Sequence, residues 1–362
     1  MGNALSASLT ESEQQRVDAA AFMHQKLDPR GTADLVMIIV ISIVYAFDIA
    51  AAGWALYNRN YPPIKCKSPL LMAAILVCTI LWFVGDIQAN GQVPLRGTPM
   101  ANCRAFAVWI RIILGVCMAS ALIALRAYGL HRVFRQGRPF RGWGLYLPFL
   151  VYCMCMLAFG IVAQALPEEK SMYYIDAVDL CDASNGFRVA IFAILWVTWV
   201  VVACLSWRIR KIKSSFNESR ESAMACLAVF AVLIFTTSMH YSLKWFPFRT
   251  VYRVLATSFD HLVINMFWWA IMGVPLFNCL FRKQQYLSMW VAKLTEDGLN
   301  QQYDVSSRET SKRSLSARRV RNSLLASVRA TDLYYNDVDL HQLPLDAGYP
   351  LFDPAYDAHR PF

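Results

Sequence analysis

Charge is scarce in this sequence. Only 17% of its 362 residues are Asp, Glu, Lys or Arg, where a soluble domain carries roughly a quarter. No secretory leader is expected from these residues: the first apolar run starts near Leu35, behind a polar segment of 34 residues, and a leader's apolar run starts earlier. There is no HExxH, no nucleotide-binding loop and no facing pair of nucleophile and base, which argues against an enzyme. The stretch 251–277 holds no Lys, so a microbial-type retinal protein is excluded. Cys153-Met154-Cys155 has no further ligands beside it, so neither a metal site nor another cofactor is expected.

Apolar residues make up 57% of the chain, and their distribution sets the fold class. About 20 residues at 1.5 Å each cross a hydrocarbon core of about 30 Å. Seven runs meet that length: 35–57, 70–87, 105–130, 145–166, 188–207, 222–243 and 251–277. Backbone in lipid must satisfy its own hydrogen bonds, and these runs are about twice as long as barrel strands. The expectation is an all-α membrane protein, a bundle of seven transmembrane helices over 35–280. A short extracellular segment, 1–34, precedes it, and a largely disordered cytoplasmic tail, 281–362, follows.

Orientation follows from Lys and Arg. One set of loops carries Arg59, Lys65, Lys67, Arg132, Arg135, Arg138, Arg141, Arg208, Arg210, Lys211, Lys213 and Arg220, twelve in all. The opposite set carries five: Arg96, Arg104, Lys170, Lys244 and Arg249. Excess positive charge stays in the cytoplasm, so the N-terminus is expected outside and the C-terminus inside. The same reasoning reads the net charge of +10 as a topology signal and a contact to anionic lipid, not to nucleic acid. The opening MGNALS fits a myristoylation pattern at Gly2 that conflicts with an outside N-terminus and is read as chance.

Six of the ten cysteines lie within spans, and Cys66 and Cys279 face the reducing side. Cys103 and Cys181 alone fall on the oxidising side. A disulfide between them would pin the long outer loop to the top of the third span; two unpaired thiols are the alternative. Cys279, just past the last span, is a candidate for lipidation or for interfacial packing.

Three stretches at one membrane boundary carry a resemblance. The first is Arg59-Asn60-Tyr61-Pro62-Pro63-Ile64-Lys65-Cys66-Lys67-Ser68-Pro69. The second is Leu125-Arg126-Ala127-Tyr128-Gly129-Leu130-His131-Arg132-Val133-Phe134. The third is Trp207-Arg208-Ile209-Arg210 with Phe216-Asn217-Glu218-Ser219-Arg220. In order and position they resemble the cytoplasmic loops of family C G-protein-coupled receptors of the GABA-B type, over about residues 35 to 280. Two departures stand out. The family's large bilobed ectodomain has no counterpart in the 34 residues before the first span, and its Pro-Lys in the last helix is Pro275-Leu276 here.

The resemblance implies a receptor that transduces an extracellular signal from an unknown small ligand to a heterotrimeric G protein by rearranging its helices. It also implies an ionic lock between Arg126 and Glu218, and a homo- or heterodimer. A charge-assisted pair of this kind is worth about 1–3 kcal/mol; the competing reading has Arg126 reaching lipid phosphate and Glu218 solvated. Arg132, Phe134, Arg135, Arg210 and Lys211 are candidate G-protein contacts, against plain positive-inside charge. The rival class is a seven-helix transporter or other non-receptor membrane protein. No internal repeat supports it, and Pro148 and Pro275 lie only near span ends.

Ionisable groups inside spans are costly and therefore informative. Asp86, Arg111, His240, Asp260 and His261 fall in the outer half of the bundle, and Asp48 in the middle of the first span. They suit a ligand pocket with Arg111 and Asp260 as its charges. The competing reading, slightly favoured, is a structural ion pair, Arg111 with Asp260 or with Asp48. Residues 306–329, rich in Ser, Thr and Arg, read as a phosphorylated segment or a basic helix on the inner leaflet. The acidic and aromatic stretch 332–362 is expected to be disordered. The plasma membrane is the default location of such a multi-pass chain.

Overall fold

The structure is a computed structural model. It describes residues 10–136, 142–209, 218–243 and 246–296, with side chains described over 10–133, 142–207, 226–243 and 246–293. All of these fall in one unit, Met1–Gln302. The tail segments 306–329 and 332–362 lie outside the described residues.

The chain forms a bundle of seven transmembrane helices. The first span is α2 (Thr32–Tyr57). Its buried positions Met37, Ile41, Tyr45, Asp48, Ala52 and Ala55 recur every three or four residues, so one stripe faces the bundle. Leu35, Ile43, Phe47 and Ile49 on the other faces are exposed. That inside-out pattern suits a helix whose solvent is lipid. After the short turn α3 (Pro62–Lys65) the second span, α4 (Pro69–Ala89), starts with proline in its first turn, where the missing N–H costs nothing.

The third span runs through Arg104–Cys117 in wide π geometry and continues as α5 (Met118–Gln136). A uniform α-helix was the expectation for this run, and the half that follows Cys103 departs from it. The fourth to seventh spans are α6 (Trp143–Ala165), α7 (Asn185–Ile209), α8 (Glu218–Ser242) and α9 (Thr250–Phe281). Six of these helices are long and apolar enough to cross a membrane outright; in α8 the part with described side chains, Cys226–Ser242, is apolar as well.

Two glycines set the closest approach in the bundle. A Cβ on Gly85 of α4 would sit 2.3 Å from the Cβ of Arg111, and one on Gly115 would sit 2.8 Å from the Cα of Trp82. Lipid does not drive apolar helices together as water does, so small residues that let backbones touch decide which spans pack tightly.

One end of the bundle is closed by folded loops. Strands β1 (Met172–Ile175) and β2 (Leu180–Ala183) pair antiparallel, with Tyr174 opposite Cys181. Cys181 is joined to Cys103, at the start of the third span, with Cα atoms 5.6 Å apart. The hairpin is thereby tied to the bundle, as the cysteine distribution suggested.

The N-terminal segment adds to this closure. Helix α1 (Glu11–Phe22) buries Ala20, and with Leu27, Val178 and Leu180 it forms a small second core. At the far end, α10 (Lys283–Glu296) follows the seventh span, within the stretch 281–362 that was expected to be largely disordered. The Tyr61 hydroxyl donates to the Lys283 carbonyl at 2.9 Å, and Trp290 is buried. An apolar contact and a carbonyl anchor thus hold a helix that composition alone would leave in solvent.

Candidate functional site

Five ionisable side chains from four different spans lie beneath the hairpin, in two groups. The Gly85 contact brings the backbone of the third span against α4 and so places Arg111 beside Asp86, which is fully buried. Arg111 Nε donates to Asp86 Oδ1. His261 approaches from α9, with Nε2 3.0 Å from Asp86 Oδ2 and Nδ1 2.9 Å from the Tyr45 hydroxyl. Trp82 and Phe83 pack edge-on to the imidazole at 5.2 and 5.0 Å. Asp86 therefore receives a donor on each oxygen within an aromatic cage.

This overturns the expected partner of Arg111. The ion pair is with Asp86 and not with Asp260 or Asp48. Asp48 instead accepts from Trp269 Nε1 at 2.6 Å. The sequence shows how deep a residue lies in its own helix but not which neighbour that helix turns it toward. The two-glycine contact supplies that choice.

Asp260 and His240 stand apart from this cluster. Asp260 is buried, and its Oδ1 accepts from Thr236 Oγ1 at 2.9 Å. His240 Nδ1 lies 2.9 Å from the Thr236 carbonyl, and its ring packs against Phe192 and Phe246 at 5.1 and 4.6 Å. One residue of α8, Thr236, thus organises both polar groups.

These residues border a cavity of about 140 Å³. Arg111, Ile112 and Val116 of the third span form one wall, and Phe192, Leu195 and Trp199 of α7 another. Leu233, Thr236 and His240 of α8 and Asp260 and Val263 of α9 complete it, with Cys181 and Asp182 of β2 above. Arg111, His240 and Asp260 line the cavity, whereas Asp86 and His261 stand behind the wall with no exposure. An apolar hollow with a few convergent polar groups is the usual form of a small-molecule site.

Sequence reasoning overlooked a second charge cluster. Arg253 in the first turn of α9 is fully buried and grips Asp34, Nε to Oδ1 at 2.7 Å and Nη2 to Oδ2 at 2.6 Å. It also donates to the carbonyls of Asp28 and Pro29 at 3.1 and 3.0 Å. The rule that flagged Arg111 applies equally to Arg253, which lies within 251–277, so the signal was present. Arg188 and Asp182 form a further pair at 2.6 Å on the cavity rim.

At the far end, Arg126 is buried in α5; the side chain of Glu218 lies outside the described residues. So do the side chains of Phe134 and Arg135 and all of Arg210 and Lys211. Arg132 is buried, with its guanidinium 6.0 Å from the Tyr128 ring centre. Cys279 packs in the main core and is also buried.

Comparison with known proteins bears on the whole bundle. No curated protein matches the chain. A family model described as "7 transmembrane sweet-taste receptor of 3 GCPR" matches residues 27–275, which takes in the first six spans, the hairpin and most of the seventh span. With that match over most of its length, the chain belongs to the family C G-protein-coupled receptors, by their seven-transmembrane domain.

Proposed function

We propose that the chain is a receptor that passes a small-molecule signal from the cavity to a heterotrimeric G protein at the opposite end. The observation that carries this reading is the set of helices around the cavity. The third, fifth, sixth and seventh spans line it, and the same four helices continue to the end that bears Arg126 and the basic loops. A ligand that favours one spacing of these helices at the cavity biases their spacing at the other end. The excess of Lys and Arg on the loops away from the hairpin, twelve against five, supports a hairpin end and N-terminus outside and a C-terminus in the cytoplasm. The plasma membrane is the location this role requires.

The coupling element proposed is Arg126 with Glu218, holding the third and sixth spans together in the resting packing. Phe134, Arg135, Arg210 and Lys211 are the proposed G-protein contacts. Arg132, being buried, serves packing in this reading. A dimer follows from the family resemblance alone.

Nucleotide exchange on co-expressed G proteins tests the reading, in membranes bearing wild type, Arg126→Ala or Glu218→Ala. Either substitution raises basal exchange about tenfold, equivalent to about 1.4 kcal/mol. The double swap Arg126→Glu, Glu218→Arg lowers it again. If no variant moves exchange on any G protein despite normal surface expression, the receptor reading fails.

A further inference from the structure

The acids around the cavity outnumber the arginines, and His261, the further basic group here, is bonded to Asp86. Two arginines, Arg111 and Arg188, face three aspartates, Asp86, Asp182 and Asp260. Each arginine already holds a carboxylate: Arg111 with Asp86, and Arg188 with Asp182. Asp260 is the acid left over. Among the described residues its bonded partner is the uncharged Thr236 hydroxyl, on Oδ1. No bond to Oδ2 occurs among them. The residue is 3% exposed and lines the cavity, so the surface it retains is turned to that space.

A carboxylate in this position is costly without a cation. The histidine of the wall, His240, bonds through Nδ1 to the Thr236 carbonyl and packs its ring against Phe192 and Phe246, with no bond to Asp260 among the described residues. The rest of the lining near the α7 side is apolar and aromatic, with Phe192, Leu195 and Trp199. A protonated amine answers both features. Its ammonium supplies positive charge and three donors to Asp260, and aromatic faces favour a neighbouring cation. An anionic ligand would meet two arginines whose charges Asp86 and Asp182 already match, with the unmatched Asp260 beside them. Size limits the remainder of the molecule: an apolar cavity of about 150 Å³ accepts benzene, and this one measures about 140 Å³.

We propose that the cavity takes a small monovalent amine with an apolar body about the size of a benzene ring, its ammonium on Asp260 and its body against Phe192, Leu195 and Trp199. This rests on the reading of the cavity as the ligand site, and it adds the ligand's charge and size.

The test uses the full chain in lipid nanodiscs and three probes of one shape: benzylamine, benzyl alcohol and benzoate. Binding is read directly, as quenching of tryptophan fluorescence and as a rise in Tm. Benzylamine binds at least roughly tenfold more tightly than benzyl alcohol, and benzoate does not bind. In Asp260→Asn the preference for the amine falls to less than about twofold while the alcohol binds as before. Should that variant not fold, the wild-type ratio of amine to alcohol decides alone. The proposal is overturned if the alcohol or benzoate binds as well as the amine, if Asp260→Asn keeps the preference, or if no probe binds up to about 10 mM. Nucleotide exchange is read separately on the same preparation. Amine binding without any exchange leaves this proposal standing and counts against signalling; exchange without amine binding does the reverse.

Discussion

Arg30 and Asp179 lie 149 residues apart in the chain and form an ion pair, Nη1 to Oδ2, at 2.7 Å. Their side chains are 9% and 11% exposed. Around this pair the closed end of the bundle is assembled. Arg30 also donates to Glu13 Oε1 at 3.1 Å, to the Gly91 carbonyl at 2.9 Å and to the Asp179 carbonyl at 2.8 Å. Asp179 in turn accepts from the Arg96 amide at 2.9 Å and the Tyr174 hydroxyl at 2.7 Å. The N-terminal segment, the loop after the second span and the hairpin are held at one point.

Removing one partner of a pair this buried leaves the other uncompensated, which costs about 3–5 kcal/mol. Arg30→Ala is therefore expected to lower Tm clearly and to release the N-terminal helix. Limited proteolysis under native conditions checks it: cleavage between residues 10 and 31 accelerates in the variant, while cleavage in the transmembrane core does not.

The pH dependence of this end has a definite sign. Burial alone would raise the Asp179 carboxyl, but the bonds from Tyr174, Arg30 and the Leu95 amide outweigh it and hold the group below its ordinary value. A carboxylate depressed in the folded state stabilises above its unfolded value, about 4, and that contribution disappears as pH falls through the folded value. The Tm advantage of wild type over Asp179→Asn is thus expected to stay constant from pH 7 to about 5. It then shrinks below about 4. A difference that grows on acidification contradicts the account. Tyr174, pushed up to about 12 chiefly by burial and by its bond to Asp179, stays a neutral donor throughout this range.

The disulfide contributes by a different route. It closes a separation of 78 residues that includes two whole spans, and such a link restricts the unfolded chain by about 2–4 kcal/mol. Cys103→Ser and Cys181→Ser are expected to lower Tm by the same amount as each other, and the double variant by no more than either. A reductant lowers wild type alone. Unequal single variants would show that one sulfur has a further role, which its neighbour Gln88, with Nε2 2.8 Å from the Cys181 sulfur, is placed to serve.

Much of this architecture is legible in the amino-acid sequence. Long apolar runs locate the helices because lipid forces each to satisfy its own backbone. The cost of charge in lipid singled out Asp86, Arg111, His240, Asp260 and His261 as positions, and all five lie at the closed end. Their pairing was not legible, because it depends on how far each helix is rotated. Apolar patterning specifies rotation poorly in a helix such as α4, whose sequence is apolar almost all round. The fold of residues 10–30 was hidden for another reason. Its core joins Ala20 and Leu27 to Val178 and Leu180, and its ion pairs Arg30–Asp179 and Asp28–Arg249 reach residues more than a hundred positions away, which no local pattern can encode.

Gly85 explains the choice of partner and predicts what its loss would do. A methyl group there would fall on the Arg111 side chain and backbone, so Gly85→Leu must separate the second and third spans. Overpacking of this kind costs about 1–3 kcal/mol, and here it also breaks Arg111 from Asp86. The variant is expected to lose more stability than Gly53→Leu, since Gly53 has open space where a Cβ would stand. Comparing Tm of the two variants in the same lipid isolates the contact from the general effect of adding a leucine.

Arg253 and Asp34 offer the sharpest separation of a stabilising pair from a positioning one. Both are fully enclosed, at 0% and 2% exposed, and the pair joins the seventh span to the start of the first. Taking two charges out of water costs several kcal/mol per ion, and their attraction repays this only when geometry and the remaining bonds are good. Here the guanidinium makes two bonds to the carboxylate, two to backbone carbonyls and one to Thr250 Oγ1 at 3.1 Å. Either single change, Asp34→Leu or Arg253→Met, leaves a buried charge alone and should cost about 3–5 kcal/mol. The double change removes both charges and should recover most of that loss, so the two effects are far from additive. If the double variant is as unstable as the sum of the singles, the carbonyls of Asp28 and Pro29 depend on the guanidinium. Arg253 would then act by organising the backbone that enters the first span more than by neutralising Asp34.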